Sequence, residues 1–208
     1  MMFFFDRSKL ASGARFRNGW GALAVCFGLS HGGVVLGQGN GGFGADPSAS
    51  GGFSTEIKPP FNLSWGETSD RLERLVVSAG GKVISRHPAR GAREAIEVTG
   101  LPQEGLKKTI FYFKLGALTG VELQYHVESW PEEKYGAVMS DLRGRISKHY
   151  GEGQQIARRT EKLENVGVVQ TVTGYKWSAG AANVQLVYFS AADAQNAFRT
   201  VSVHYNAF

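Results

Sequence analysis

Two short signatures stand 65 residues apart in this chain, Ser64-Trp65-Gly66-Glu67 and Ser129-Trp130-Pro131-Glu132, and each opens a helical pattern that gives way to strand-like segments. After the first, Thr68 is placed to cap a helix with Asp70 in its first turn. Leu72, Leu75, Val76 and Ala79 then recur on one face until Gly80-Gly81 ends the pattern. After the second, Ser129 is placed to cap, Pro131 suits the first turn and Glu132 completes a capping box. Tyr135, Val138, Met139, Leu142 and Ile146 form the stripe, and Gly151 stops it. Strands are expected at 83–86, 95–98, 109–115 and 121–127 in the first half, and at 155–160, 168–177, 184–190 and 198–205 in the second.

Two further features repeat at almost the same interval. Phe113-Lys114-Leu115 before Val121-Glu122-Leu123 recurs as Tyr175-Lys176-Trp177 before Val184-Gln185-Leu186, at offsets of 62 and 63. A near-constant offset over three features predicts a duplicated unit, 61–128 and 129–208, each of one helix and three to four strands. The expected fold class is therefore α+β: two tandem α-β(3-4) repeats in one compact domain over 61–205, an antiparallel meander sheet with the helices packed on one face.

The residues ahead of that domain have a different character. Arg7, Lys9, Arg15 and Arg17 precede an interrupted apolar run from Trp20 to Leu36, the layout of a secretory signal over 1–37, with Val35 and Gly37 suited to a cut before Gln38. The run is too short and glycine-rich for a membrane span, so none is expected in the mature chain. Cys26 follows Leu23-Ala24-Val25, but a lipoprotein box wants a small residue where Val25 stands, so cleavage near Gly37/Gln38 is expected instead of lipidation. Residues 38–60 then read as a Gly/Ser-rich disordered linker that cannot bury enough apolar area to fold. Its Gly37-x-Gly39-x-x-Gly42 match opens no helix and is no dinucleotide fingerprint. The formal charge of +5 falls to +2 without residues 1–37, with 19 basic and 17 acidic side chains left, which removes the case for nucleic acid. An extracytoplasmic protein, periplasmic or secreted, is the expectation.

The chemistry-bearing residues form no complete constellation by spacing, so no catalytic residue, cofactor or metal is expected and the chain reads as no enzyme. There is no Gly-x-Ser-x-Gly elbow and no phosphate loop around Gly80-Gly81-Lys82. His149 beside Lys148 complements a helix C-terminus. Glu122, Gln124 and His126 share one face of an alternating strand and make the alternative site, for a small-ligand or metal-dependent enzyme. Basic residues gather at Arg86, Arg90 and Arg93, and consecutive aromatics at 111–113 must point to both sheet faces. Together with Tyr112, Tyr175 and Trp177, these arginines are the expected binding surface; Trp65 and Trp130 serve as further anchors or as staples between helix and sheet.

Trp65-Gly66-Glu67-Thr68 before a short helix, and the Tyr150-Gly151 helix end leading to the Tyr175-Lys176-Trp177 strand, resemble the tandem helix-plus-sheet domains of the β-lactamase-inhibitor-protein-like and SmpA/OmlA envelope lipoprotein families, with room here for one helix per unit. The resemblance spans about residues 61 to 205 and implies an extracytoplasmic domain that binds another envelope or secreted protein on a sheet face, without catalytic residues.

Overall fold

A computed structural model describes residues 56–89, 93–164 and 167–207. The expected leader, Cys26, most of the expected linker and Arg90 lie outside the described residues. Helix α1 (Ser69–Ser78) leads into strands β1 (Lys82–Ala89), β2 (Arg93–Thr99), β3 (Leu106–Lys114) and β4 (Ala117–Tyr125). Helix α2 (Glu132–Tyr150) leads into β5 (Gln154–Leu163), β6 (Val168–Ala179), β7 (Ala182–Ala192) and β8 (Ala197–Ala207). The result is an α+β architecture dominated by one eight-stranded antiparallel sheet.

The helix starts follow their caps. Thr68 Oγ1 accepts from the Arg71 amide at 3.4 Å, as its position predicts. At α2 the N-cap is Pro131 instead of Ser129, and no side chain caps it; the Trp130 amide bonds back to Val127 O at 3.0 Å, which holds Ser129 in the turn before the helix. Each helix buries part of its expected stripe, Leu72 and Val76 in α1 and Tyr135, Met139, Leu142 and Ile146 in α2, whereas Leu75 is exposed. No helix among the described residues is long and apolar enough to cross a membrane.

The sheet is not a single meander. Its order is β1-β2-β3-β4-β8-β7-β6-β5, so the two four-stranded meanders meet through their last strands, with Val121 opposite Tyr205 and Leu123 opposite Val203. The 19-residue α2 makes this topology: at 1.5 Å per residue it spans about 28 Å, enough to carry the chain from the central β4 to the far edge at β5. Register then assigns faces, because directly opposed residues share one. Ile96, Phe111, Val121, Leu123, Val203, Leu186 and Val184 line the helix side and are buried with the helix stripes in one core. That core extends back to Ile57, which is fully buried within the segment expected as linker, and Trp65 Nε1 donates to its carbonyl at 2.8 Å.

Both of the other structural tryptophans press on a glycine. Trp130 lies over Gly105, whose φ is +73°, and meets Tyr135 edge-on at 5.5 Å between ring centroids. Trp177 lies against Gly153 and donates from Nε1 to Gly151 O at 2.9 Å, which ties β6 to the end of α2.

Candidate functional site

The strand alternation that builds the core on one face leaves a second face uncovered by either helix. One row of it runs across six strands: Glu97, Ile110, Glu122, His204, Gln185 and Lys176, each opposite the next. Five interstrand steps of roughly 4.8 Å make this row about 24 Å long. A neighbouring row holds Tyr112, Gly120, Asn206 and Asn183, and on the other side Gln124 opposes Ser202.

At the centre sits Glu122, whose side chain is 13% exposed. Its Oε2 accepts from the Tyr112 hydroxyl at 2.7 Å and its Oε1 from Gln124 Nε2 at 2.5 Å. His204 Nδ1 lies 3.7 Å from Oε2, too far for a hydrogen bond, while its Nε2 is 3.0 Å from Ser202 Oγ. Burial and the adjacent Glu122 carboxylate push the Tyr112 phenol well above its ordinary value, so it stays a donor. Burial lowers the His204 pKa and outweighs the opposite pull of Glu122, which favours a neutral imidazole at pH 7. Asn183 is 3% exposed, and its Oδ1 accepts from Gln185 Nε2 at 3.4 Å and Asn206 Nδ2 at 3.5 Å. The Glu122 carboxylate, the Asn183 amide oxygen and the Ser202 hydroxyl thus link several polar side chains of this face to one another.

Further along the same face the lining turns apolar. The Phe189 and Phe198 rings stand 6.3 Å apart and His126 lies 5.1 Å from Phe198. His126 sits just past the end of β4, where its Nδ1 is 2.7 Å from Arg199 O; a carbonyl only accepts, so this nitrogen carries the proton. Its Nδ1 is thereby committed to Arg199 O, whereas Gln124 bonds to Glu122. Among the described residues no three His, Cys, Asp or Glu side chains converge as a metal set.

The residues expected to form one binding surface are divided between faces. Tyr112 lies on the open face and is 36% exposed. Tyr175 and Trp177 point to the helix side, opposite Leu186 and Val184: Trp177 is 2% exposed, and Tyr175 lies under the Arg143 guanidinium at 4.3 Å. Arg86 also faces the helices, where it pairs with Glu73 of α1 and with Glu94. Arg93 is exposed at the start of β2, opposite Lys114. What spacing alone missed is His204, Gln185, Ser202 and the Asn183/Asn206 pair. The alternation Ser202, His204, Asn206 on one strand carries the signal of a polar face, but the β4–β8 pairing that sets His204 opposite Glu122 is not local.

No protein-family model, no curated protein and no solved structure matches this chain, so the site is read from its own geometry.

Proposed function

We propose that the protein is an exported, non-catalytic binding module that engages its partner on the open face of the sheet. The observation that carries this reading is the six-strand row from Glu97 to Lys176, left bare by both helices and preorganised by the Tyr112, Gln124 and Asn183 hydrogen bonds. Ordering these side chains before binding lowers the entropy that a partner must overcome. The repeated order of one helix and four strands supports descent from a duplicated unit, and the resemblance to tandem helix-plus-sheet envelope domains agrees with a role outside the cytoplasm.

The test is retention of envelope or culture-supernatant components on the immobilised full chain. Gln185→Arg on the open face abolishes retention, whereas Glu133→Arg on the exposed side of α2 leaves it unchanged. Equal retention by both variants contradicts the reading.

A second reading, small-molecule chemistry on the same face, is favoured by the line Ser202 Oγ, His204 Nε2 and the Glu122 carboxylate beyond it. Against it, both Glu122 oxygens are engaged by Tyr112 and Gln124 and the His204 to Glu122 gap is 3.7 Å. Labelling by a fluorophosphonate that disappears in Ser202→Ala favours this second reading. Bound metal that is lost in His126→Ala favours the metal-dependent form of it.

A further inference from the structure

We infer that the occupant of the open face is an uncharged glycan chain, lying across the strands over Tyr112 and the amide-bearing side chains of β7 and β8. This rests on the reading of that face as the docking surface and adds the chemistry of what docks there.

The centre of the face has the wrong lining for the core of a protein interface. Such cores are apolar and aromatic, and serine is depleted in them. Here the centre is mostly polar, made of Glu122, Gln124, Ser202, His204, Gln185 and Asn206, with Val187 and the buried Ile110 and Asn183 among them. Each amide carries two donors and an acceptor with two lone pairs, and the mutual bonds at Asn183 and Glu122 use only part of that capacity. What is left at the half-buried Gln124, Gln185 and Asn206 is a set of amide donors and acceptors on the open face, which is what a ligand covered with hydroxyl groups requires.

Charge points the same way. Glu97 is paired with Lys108 at 3.3 Å, Glu122 and Lys176 are of opposite sign on one row, and His204 is held towards its neutral form. Two carboxylates are balanced by two ammonium groups, so these residues carry no net charge to draw in a polyanion or a polycation.

Tyr112 supplies a platform. A Cβ on Gly120 would lie 3.4 Å from both Cβ and Cδ2 of Tyr112, so the ring lies across the glycine, and its hydroxyl is anchored at Glu122. One ring face rests on the sheet and the residue keeps 36% of its surface exposed, as suits stacking against the apolar face of a sugar ring. The row of about 24 Å accommodates several linked rings.

The experiment probes the full chain against an array of neutral and charged glycans, followed by affinity electrophoresis in dextran, hydroxyethyl cellulose, xyloglucan and galactomannan. The expected result is binding to a neutral class, weakened about tenfold in each of Tyr112→Ala and Gln185→Ala, and unchanged in Glu133→Arg. Thermal melting of each variant identifies any loss that comes from unfolding, and Gln185→Ala at the sheet surface provides the test if Tyr112→Ala does not fold. Binding to charged glycans alone overturns the inference. So does the absence of any glycan binding while Gln185→Arg still abolishes retention of a protein, an outcome that leaves the open face as the docking surface. If Gln185→Arg also leaves retention intact, the docking reading falls with it.

Discussion

Substituting Gly153 tests whether Trp177 belongs to the core or to a binding surface. A Cβ at residue 153 would stand 2.5 Å from Trp177 Cζ2 and 2.9 Å from Nε1, against the 3.5 to 4 Å of ordinary carbon contacts. The Gly153 backbone lies outside the left-handed region, so the cost of Gly153→Ala is steric. The indole must retreat by about 1 Å, yet it is 2% exposed and held by its bond to Gly151 O. Overpacking costs about 1–3 kcal/mol and a broken hydrogen bond about 1 kcal/mol more, so a loss of about 3 kcal/mol is expected. For a domain of this size that lowers Tm by roughly 6–12 °C. In a Trp177→Val background no ring stands over the new methyl, and Gly153→Ala then costs less than about 1 kcal/mol, a coupling of about 2 kcal/mol. Urea unfolding of the four proteins, followed by far-ultraviolet circular dichroism, measures the cycle. Equal costs of Gly153→Ala in both backgrounds, or no cost beside the native Trp177, refute the packing argument.

Two other consequences follow from the same structure. Gly105→Ala should be at least as damaging as Gly153→Ala, because the residue has φ +73° and its Cβ would also enter the Trp130 ring, within 2.8 Å of Cζ3; a melting temperature within a degree or two of the parent's contradicts this. Because His204 has a lowered pKa when folded, the unfolded chain binds more protons below about pH 6.5, and stability must fall as pH drops through that value towards the folded pKa. Urea midpoints between pH 7.5 and 5 should decline less steeply in His204→Gln, and an unchanged decline removes His204 as the source.

Local signals made the two helices and all eight strands legible, because each turns on residues close in sequence. Leu72 and Val76 recur at helical spacing, and Val121, Leu123 and Tyr125 alternate with Glu122 and Gln124; in both cases burial follows the pattern. Strand ends were less legible: β6 and β7 extend beyond their expected ends at 177 and 184 to Ala179 and Ala182, since ladder bonds continue where side-chain alternation fades. The β4–β8 seam left no local trace, since it is formed only after α2 has carried the chain to the far edge. For that reason spacing finds Glu122 without His204, and it gives no sign that His126 Nδ1 is taken up by Arg199 O. Likewise Tyr175 and Trp177 alternate as expected, but nothing in their own segment says that α2 covers their side. Ser129 satisfies the composition of a cap, yet the turn from Val127 to Trp130 moves the helix start to Pro131.

Hydroxyl-radical footprinting of the full chain, alone and with saturating envelope extract, tests most directly whether the open face is the binding surface. Protection concentrated at Tyr112, His204, Phe189 and Phe198, with His149 and Tyr150 of α2 unchanged, is the predicted result. Protection that falls on α2 while the open face stays fully reactive would contradict it.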